Sequence, residues 1–345
     1  YDIDKVYGGN YDKIVEKLQK GQLTFARYSP GLYLKAEYSD KYPYNELKTT
    51  GPKLVALIRH LLLKRMESSQ QSFRISIEGF IRTHKIFLKL LERLSEKGVM
   101  PIGDTAVKDM YEVATEPDFD FDDEEELLKI EKHIAEGKDT KYKSEAFLLE
   151  DLTRGIVNDL SVFRNIANLV DKTSDKNDDK LHRLRKLLDE NSGKKVLVFS
   201  EFSSTIKYLY ESVTNWKGNK ERVYAELSNS MKVTQRFDPE NNPSDQKIPK
   251  SEQLSLVFST DVLSEGVNLH SGQVIINYDF HWNPVRLIQR AGRIDRLGSK
   301  NDHISIHNFL PDPKIENDLG SQQSVGSKIN EIQRVIGEDY KILTN

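Results

Sequence analysis

Residues 254–296 constrain the fold more than any other part of the chain. Two short apolar runs rich in β-branched and aromatic residues, 254–258 and 274–278, are each followed by a polar segment, and a helix-like run at 285–296 closes the stretch. Continuous apolar runs of this length read as strands buried on both faces, the pattern of a parallel sheet covered by helices. In open sheets of this kind the loops at the carboxyl ends of the strands bind ligands. Those loops carry Thr260, Asp261, Glu265, Gly266 and Asn268, then His281, Trp282 and Asn283. Asn283 is suited to cap the following helix and Pro284 to open it. Gln289, Arg293 and Arg296 lie four and three residues apart, so a continuous helix places them on one face. An amide beside two guanidiniums suits the oxygens of a polyanion.

Four colinear blocks carry a family resemblance: VLVFSEF (196–202), STDVLSEGVNL (259–269), NYDFHWNP (277–284) and QRAGRIDRLGS (289–299). They look like motif IV, motif V, the segment after it and motif VI. With them the chain resembles the second, carboxy-terminal RecA-like lobe of superfamily 2 helicase-type ATPases, most closely bacterial Swi/Snf-type ATPases related to the RNA-polymerase-associated recycling factor. The string LLLKRMESSQQSF (61–73) resembles the region between the lobes of the same proteins. Gly298-Ser299 departs from the Gly-Gln that usually ends motif VI in eukaryotic members, which weakens any inference to nucleosomes.

The resemblance implies an ATP-dependent, Swi/Snf-type motor that follows double-stranded DNA. It assigns Arg293 and Arg296 to the γ-phosphate as arginine fingers, and Gln289 to the interlobe or nucleotide contact. Glu265, Gly266 and Asn268 face the nucleotide; Ser200, Ser259, Thr260, Trp282 and Asn283 face nucleic acid. ATP with Mg²⁺ is then bound mainly by a first RecA-like lobe of the same protein. Further implied are partner proteins of a larger complex, a cytoplasmic, nucleoid-associated location and no membrane.

Plainer readings stand beside these. Arg293 and Arg296 can be surface arginines paired with Asp295 or Asp279, Asp261 can cap the turn that follows it, and Trp282 can be a core anchor. Arg290 is off the Gln289 face and reads as structural or as a DNA contact. Two whole-protein alternatives remain: an inert nucleic-acid-binding or scaffold module, and a lobe of an RNA helicase. The intact Gln289, Arg293 and Arg296 set argues against decay to a scaffold. The Trp282-Asn283-Pro284 string and the large helical region argue against an RNA helicase.

Absences narrow the class further. No GxxxxGK[ST] loop and no acidic block after an apolar strand occur in the sequence, so the nucleotide-hydrolysing lobe is missing and this chain alone is expected to be inactive. The opening Tyr1-Asp2-Ile3-Asp4, without an initiator Met or signal peptide, reads as the start of a fragment. There are no cysteines, and the eight histidines do not cluster with carboxylates at metal-ligand spacing; His303 and His307 merely share one side of a predicted strand. A net charge of −3 confines any nucleic-acid surface to a local patch. No run approaches the ~18–20 apolar residues of a membrane span.

Along the chain, residues 1–50 read as an interlobe connector with a short helix at 11–20. Residues 51–178 read as a helical insertion. Its apolar stripes begin at Pro52, and Lys64, Arg65, Arg74, Arg82, Lys85, Lys89 and Arg93 ride alongside as a solvated basic face or a phosphate-tracking one. Within it, seven of the nine residues 118–126 are acidic, which suits a solvated loop or the start of a helix at 124–136. Residues 179–312 form the α/β lobe, with helices at 181–190, 203–213 and 231–237, strands at 195–200, 222–225 and 304–310, and a loop at 238–250. Residues 313–345 supply a bracing helix near 323–336.

Overall fold

The computed structural model describes residues 1–18, 21–102, 142–227, 229–244, 247–264, 267–280, 284–295, 301 and 303–319. The acidic run at 118–126, the helix expected at 124–136 and the one expected at 323–336 lie outside them. The chain divides into two compact units. One comprises Tyr1–Gly9, Leu63–Phe73 and Thr173–Asn345; the other comprises Asn10–Leu62 and Arg74–Lys172.

The first unit is built on five parallel strands: β1 (Val196–Phe199), β2 (Asn219–Val223), β3 (Leu254–Ser259), β4 (Val274–Asn277) and β5 (Ser305–Asn308), in the spatial order β2-β3-β1-β4-β5. Every residue of β1 and β4 is buried, as the apolar runs predict. Alternate side chains leave β1 on opposite faces. Val196 and Val198 pack with Leu181, Leu184 and Leu188 of α6 (Asp179–Glu190) and with Ile206 and Leu209 of α7 (Ser203–Ser212). Leu197 and Phe199 pack with Val233 and Phe237 of α8 (Ser230–Phe237), with Leu263 and Leu269, and with Ala291 of α9 (Pro284–Ala291). Each fully buried Val, Leu or Phe contributes about 1.5–3 kcal/mol before chain entropy is subtracted, so this central strand anchors both layers.

β2 begins three residues earlier than the sequence suggests, because as an edge strand it carries Lys220, Glu221 and Arg222, which hide it from an apolar-run search. Tyr224 and Ala225, expected in the strand, follow it.

The second unit is helical. α2 (Tyr11–Leu18), α5 (Leu149–Val170) and most of α3 (Tyr44–Ser68) and α4 (Gln70–Glu96) belong to it. Its core includes Ile86, Phe87, Leu90, Leu94, Leu152 and Ile156. α3 starts eight residues before Pro52, where apolar spacing places its beginning. Tyr44 anchors that extra length, with ring centroids 5.6 Å from Tyr142 and 6.2 Å from Phe147, so packing overrides the helix-start signal of proline. Arg74 bonds the Val170 carbonyl at 3.2 Å and pairs with Asp171 at 3.3 Å, so that member of the basic set is a structural tie. α1 (Ile3–Val6) and α10 (Pro313–Asp318) complete the described helices. No helix among the described residues is long and apolar enough to cross a membrane.

Candidate functional site

Parallel pairing aligns the strand ends. Phe199 at the end of β1 lies opposite Ser259 of β3 and Asn277 of β4. The segments after these strands therefore leave the sheet side by side, at the edge where open α/β sheets hold ligands.

Asp261 and Arg290 organise that edge. Asp261 accepts from Arg290 Nε at 2.7 Å and from Arg286 Nη1 at 3.0 Å. Arg290 is 1% exposed; its Nη1 donates to Asn277 Oδ1 at 2.8 Å and its guanidinium lies 5.0 Å from the Phe199 ring centroid. Its Nη2 has no hydrogen-bond partner among the described residues. Asn277 in turn donates to Asn308 at 2.8 Å, so one buried arginine reaches from α9 through β4 to β5. Of the two readings of Arg290, structural or a DNA contact, its burial and bonds fit the structural one, and Asp261 is an ion-pair acceptor.

A second tie joins the two motif segments through the backbone: the Leu269 N–H donates to the Arg293 carbonyl at 3.2 Å. α9 ends at Ala291, so the continuous helix expected to Arg296 is not formed and Arg293 sits in the turn beyond. Gly292, a poor helix former, follows immediately, and the Arg293 and Ile294 N–H groups bond three residues back, to Arg290 and Ala291. Ile294 is fully buried at the turn. Its Cδ1 would lie 2.8 Å from a Cβ placed on Gly272, so the turn seats only against a glycine.

The other expected site residues are distributed unevenly. Gln289 is exposed on α9, and Arg293 is half-buried. Thr260 is half-buried, its N–H donating to the Val223 carbonyl at 3.1 Å. Asn268 is half-buried and its carbonyl accepts from Asn242 at 2.7 Å. Ser200 and Ser259 are fully buried. The Ser200 hydroxyl donates to Asp279 at 2.5 Å and the Ser259 hydroxyl to the Thr260 carbonyl at 2.6 Å, so both hold their own loop ends. Arg296, Glu265, Gly266, Trp282 and Asn283 lie outside the described residues. Among the described residues no three His, Cys, Asp or Glu side chains group as metal ligands do.

Sequence reasoning missed a cluster behind the edge. Asp279, raised only as an alternative partner for the arginines, instead binds Lys180, Ser68 and Ser200. Its position inside NYDFHWNP, and that of Glu67 inside LLLKRMESSQQSF, were the available signals; Lys180 had none.

Comparison with known proteins bears on the same part of the chain. Residues 179–298 match the helicase conserved C-terminal domain. An uncharacterised ATP-dependent helicase of Bacillus subtilis, YqhH, is 37% identical over 92 residues, 27% of this chain and 16% of that protein. The mouse SWI/SNF-related matrix-associated actin-dependent regulator of chromatin subfamily A member 1 is 27% identical over 158 residues, 45% of this chain and 14% of that protein. The chain thus spans about a sixth or less of these relatives. Among solved structures, the C-terminal part of the Fun30 ATPase domain aligns over 98% of this chain and 94% of its own, at 15% identity and a TM-score of 0.44. The parallel sheet, its helices and the motif segments define a helicase-type carboxy-terminal lobe. Residues 179–298 carry a helicase conserved C-terminal domain, and the relatives that the chain is similar to include an ATP-dependent helicase and a SWI/SNF-related protein.

Proposed function

We propose that this lobe is the second half of an ATP-dependent motor that moves along duplex DNA. Arg293 and Arg296 neutralise the charge that builds on the γ-phosphoryl oxygens during ATP hydrolysis, while ATP and Mg²⁺ are held mainly by a first lobe of the same protein. Gln289, Glu265, Gly266 and Asn268 face the nucleotide. Thr260, Trp282 and Asn283 touch the DNA backbone, and Ser200 and Ser259 shape the loops that do so. Phosphate contacts position a protein without reading bases, so little sequence preference is expected.

The observation that carries this reading is the Leu269–Arg293 hydrogen bond, which ties the 259–269 segment, assigned to DNA at Thr260 and to the nucleotide at Asn268, to the turn assigned to ATP. The donor set also suits phosphate: Asp261, which would repel it, is neutralised by Arg286 and Arg290. An arginine finger is worth about 10³–10⁵ in rate, or roughly 4–7 kcal/mol at the barrier.

The test is steady-state ATP hydrolysis by the full-length protein with duplex DNA, single-stranded DNA and RNA, beside Arg293→Ala and Arg296→Ala. Stimulation by duplex DNA that both substitutions abolish is the expected result. Retained nucleic-acid binding without hydrolysis under any condition would make the protein a scaffold, and stimulation by RNA alone would make it an RNA motor. The isolated chain should not turn over ATP.

A further inference from the structure

Behind the ligand edge lies an ammonium group out of reach of water. Lys180, near the start of α6, is 1% exposed. Its Nζ is 2.8 Å from the Glu67 carbonyl, 3.1 Å from the Ser68 carbonyl, 3.3 Å from Glu67 Oε1 and 3.4 Å from Asp279 Oδ1. It also lies 4.4 Å from the ring centroid of Tyr278 and 4.9 Å from that of Tyr1. The other carboxylate oxygen of Asp279 accepts from Ser68 Oγ at 2.9 Å, Ser200 Oγ at 2.5 Å and the Glu201 N–H at 2.9 Å. One carboxylate thus joins the end of β1, the segment after β4 and the turn between α3 and α4. Thr205 closes the cluster through Ser68 at 2.7 Å and Ser69 at 2.8 Å.

Removing an ammonium from water costs several kcal/mol, and buried ion pairs are often replaceable by apolar side chains without loss of stability. Stability alone is therefore a weak reason for a charge at this position; fixed geometry is a better one. We propose that Lys180 is a positioning residue for the motor reaction: through Asp279 it fixes the strand-end loop at Ser200–Phe202, and through Glu67 and Ser68 it fastens that loop to the α3–α4 turn. The role in the reaction rests on the motor reading above; the fixing of the loop does not. Burial pushes the Glu67 carboxyl up to about 7, so near neutrality Glu67 is only partly ionised beside Lys180. A neutral residue of similar volume would leave Asp279 buried without its cation. The loop and the segment leading to Trp282 would then lose their common anchor.

The test uses Lys180→Met, similar in volume but uncharged, with Asp279→Asn as an isosteric second variant should Lys180→Met not fold. In the 345-residue chain, amide hydrogen exchange at Glu201 should speed up about tenfold or more while the amides of β1 keep their protection. In the full-length protein, the ratio of duplex-stimulated to basal ATP hydrolysis should fall about tenfold, with KM for ATP within about twofold of wild type. A merely structural lysine would lower the melting temperature and leave that ratio unchanged. Unchanged Glu201 exchange in a folded variant would overturn the proposal. Faster exchange with an unaltered ratio would overturn the role in the reaction. Absence of hydrolysis by the wild-type protein would overturn the motor reading and the role in the reaction together, and the exchange result would then decide whether Lys180 fixes the loop.

Discussion

Arg290 and Asp261 are bonded side chain to side chain, Nε to Oδ1, at 2.7 Å, and the arginine is buried while Gln289 beside it is exposed. Two neighbouring residues of one motif thus have opposite tasks, one holding the edge together and one facing outward. Arg293, three residues on, is half-buried in the turn that the Leu269 N–H secures.

Arg290→Ala should therefore act on stability. Removing one partner of a buried pair costs about 3–5 kcal/mol, so the denaturant midpoint of the chain should drop markedly. Arg293→Ala should shift stability by about 1 kcal/mol or less while lowering ATP hydrolysis of the full-length protein about 10³-fold or more. Equal stability losses for the two variants would contradict this division of labour.

Gly272→Ala should destabilise the chain by about 1–3 kcal/mol, because the added methyl meets Ile294 Cδ1 at 2.8 Å and the Leu269 carbonyl at 3.1 Å. As Ile294 seats the Arg293 turn, hydrolysis by the full-length protein should fall as well. Thermal unfolding with a parallel ATPase assay measures both.

Glu67 should make the first unit less stable as pH rises. Burial is the main cause of its raised value, from 4.5 to about 7, with Lys180 opposing and Asp279 reinforcing the shift. A carboxyl raised in the folded state contributes stability that is fully present below about pH 4.5 and is lost as pH climbs through about 7. Urea unfolding across that window should show a shallower pH slope for Glu67→Gln than for wild type.

His84 works in the opposite direction in the second unit. Burial, then the Arg27 charge, lowers it from 6.5 to about 3, while its bond to the Phe80 carbonyl opposes the shift. The ring lies among Tyr28, Phe80 and Phe163. The folded unit keeps this imidazole neutral, so stability is full above about pH 6.5 and falls as pH drops toward 3, where the unfolded chain takes up the proton first. His84→Phe should flatten the acid limb of the stability profile, compared by slope between these pH values.

The sequence by itself determined the parallel sheet and the order of its parts. The runs that became β1, β3 and β4 are apolar apart from Ser255 and the terminal Ser259 and Asn277, because both of their faces are covered, and burial on two faces leaves a mark that can be read one residue at a time. The motif residues were named from a resemblance, which short contiguous strings can carry. Where local signals competed with packing, the reading slipped: Tyr44 extends α3 past the proline that should have begun it, Gly292 ends α9 early, and β2 hides its strand behind edge charges.

Only the tertiary structure decided which charges are buried and with whom. Lys180 meets Glu67 across 113 residues and Asp279 across 99, and Ser68 meets Asp279 across 211. In the sequence Lys180 is one polar residue among several in DKLHRLRK, indistinguishable from a lysine turned to water. Periodicity reports which face of an element is apolar. It does not report which polar side chain the fold will close over, because that depends on partners brought together by the chain's long-range path.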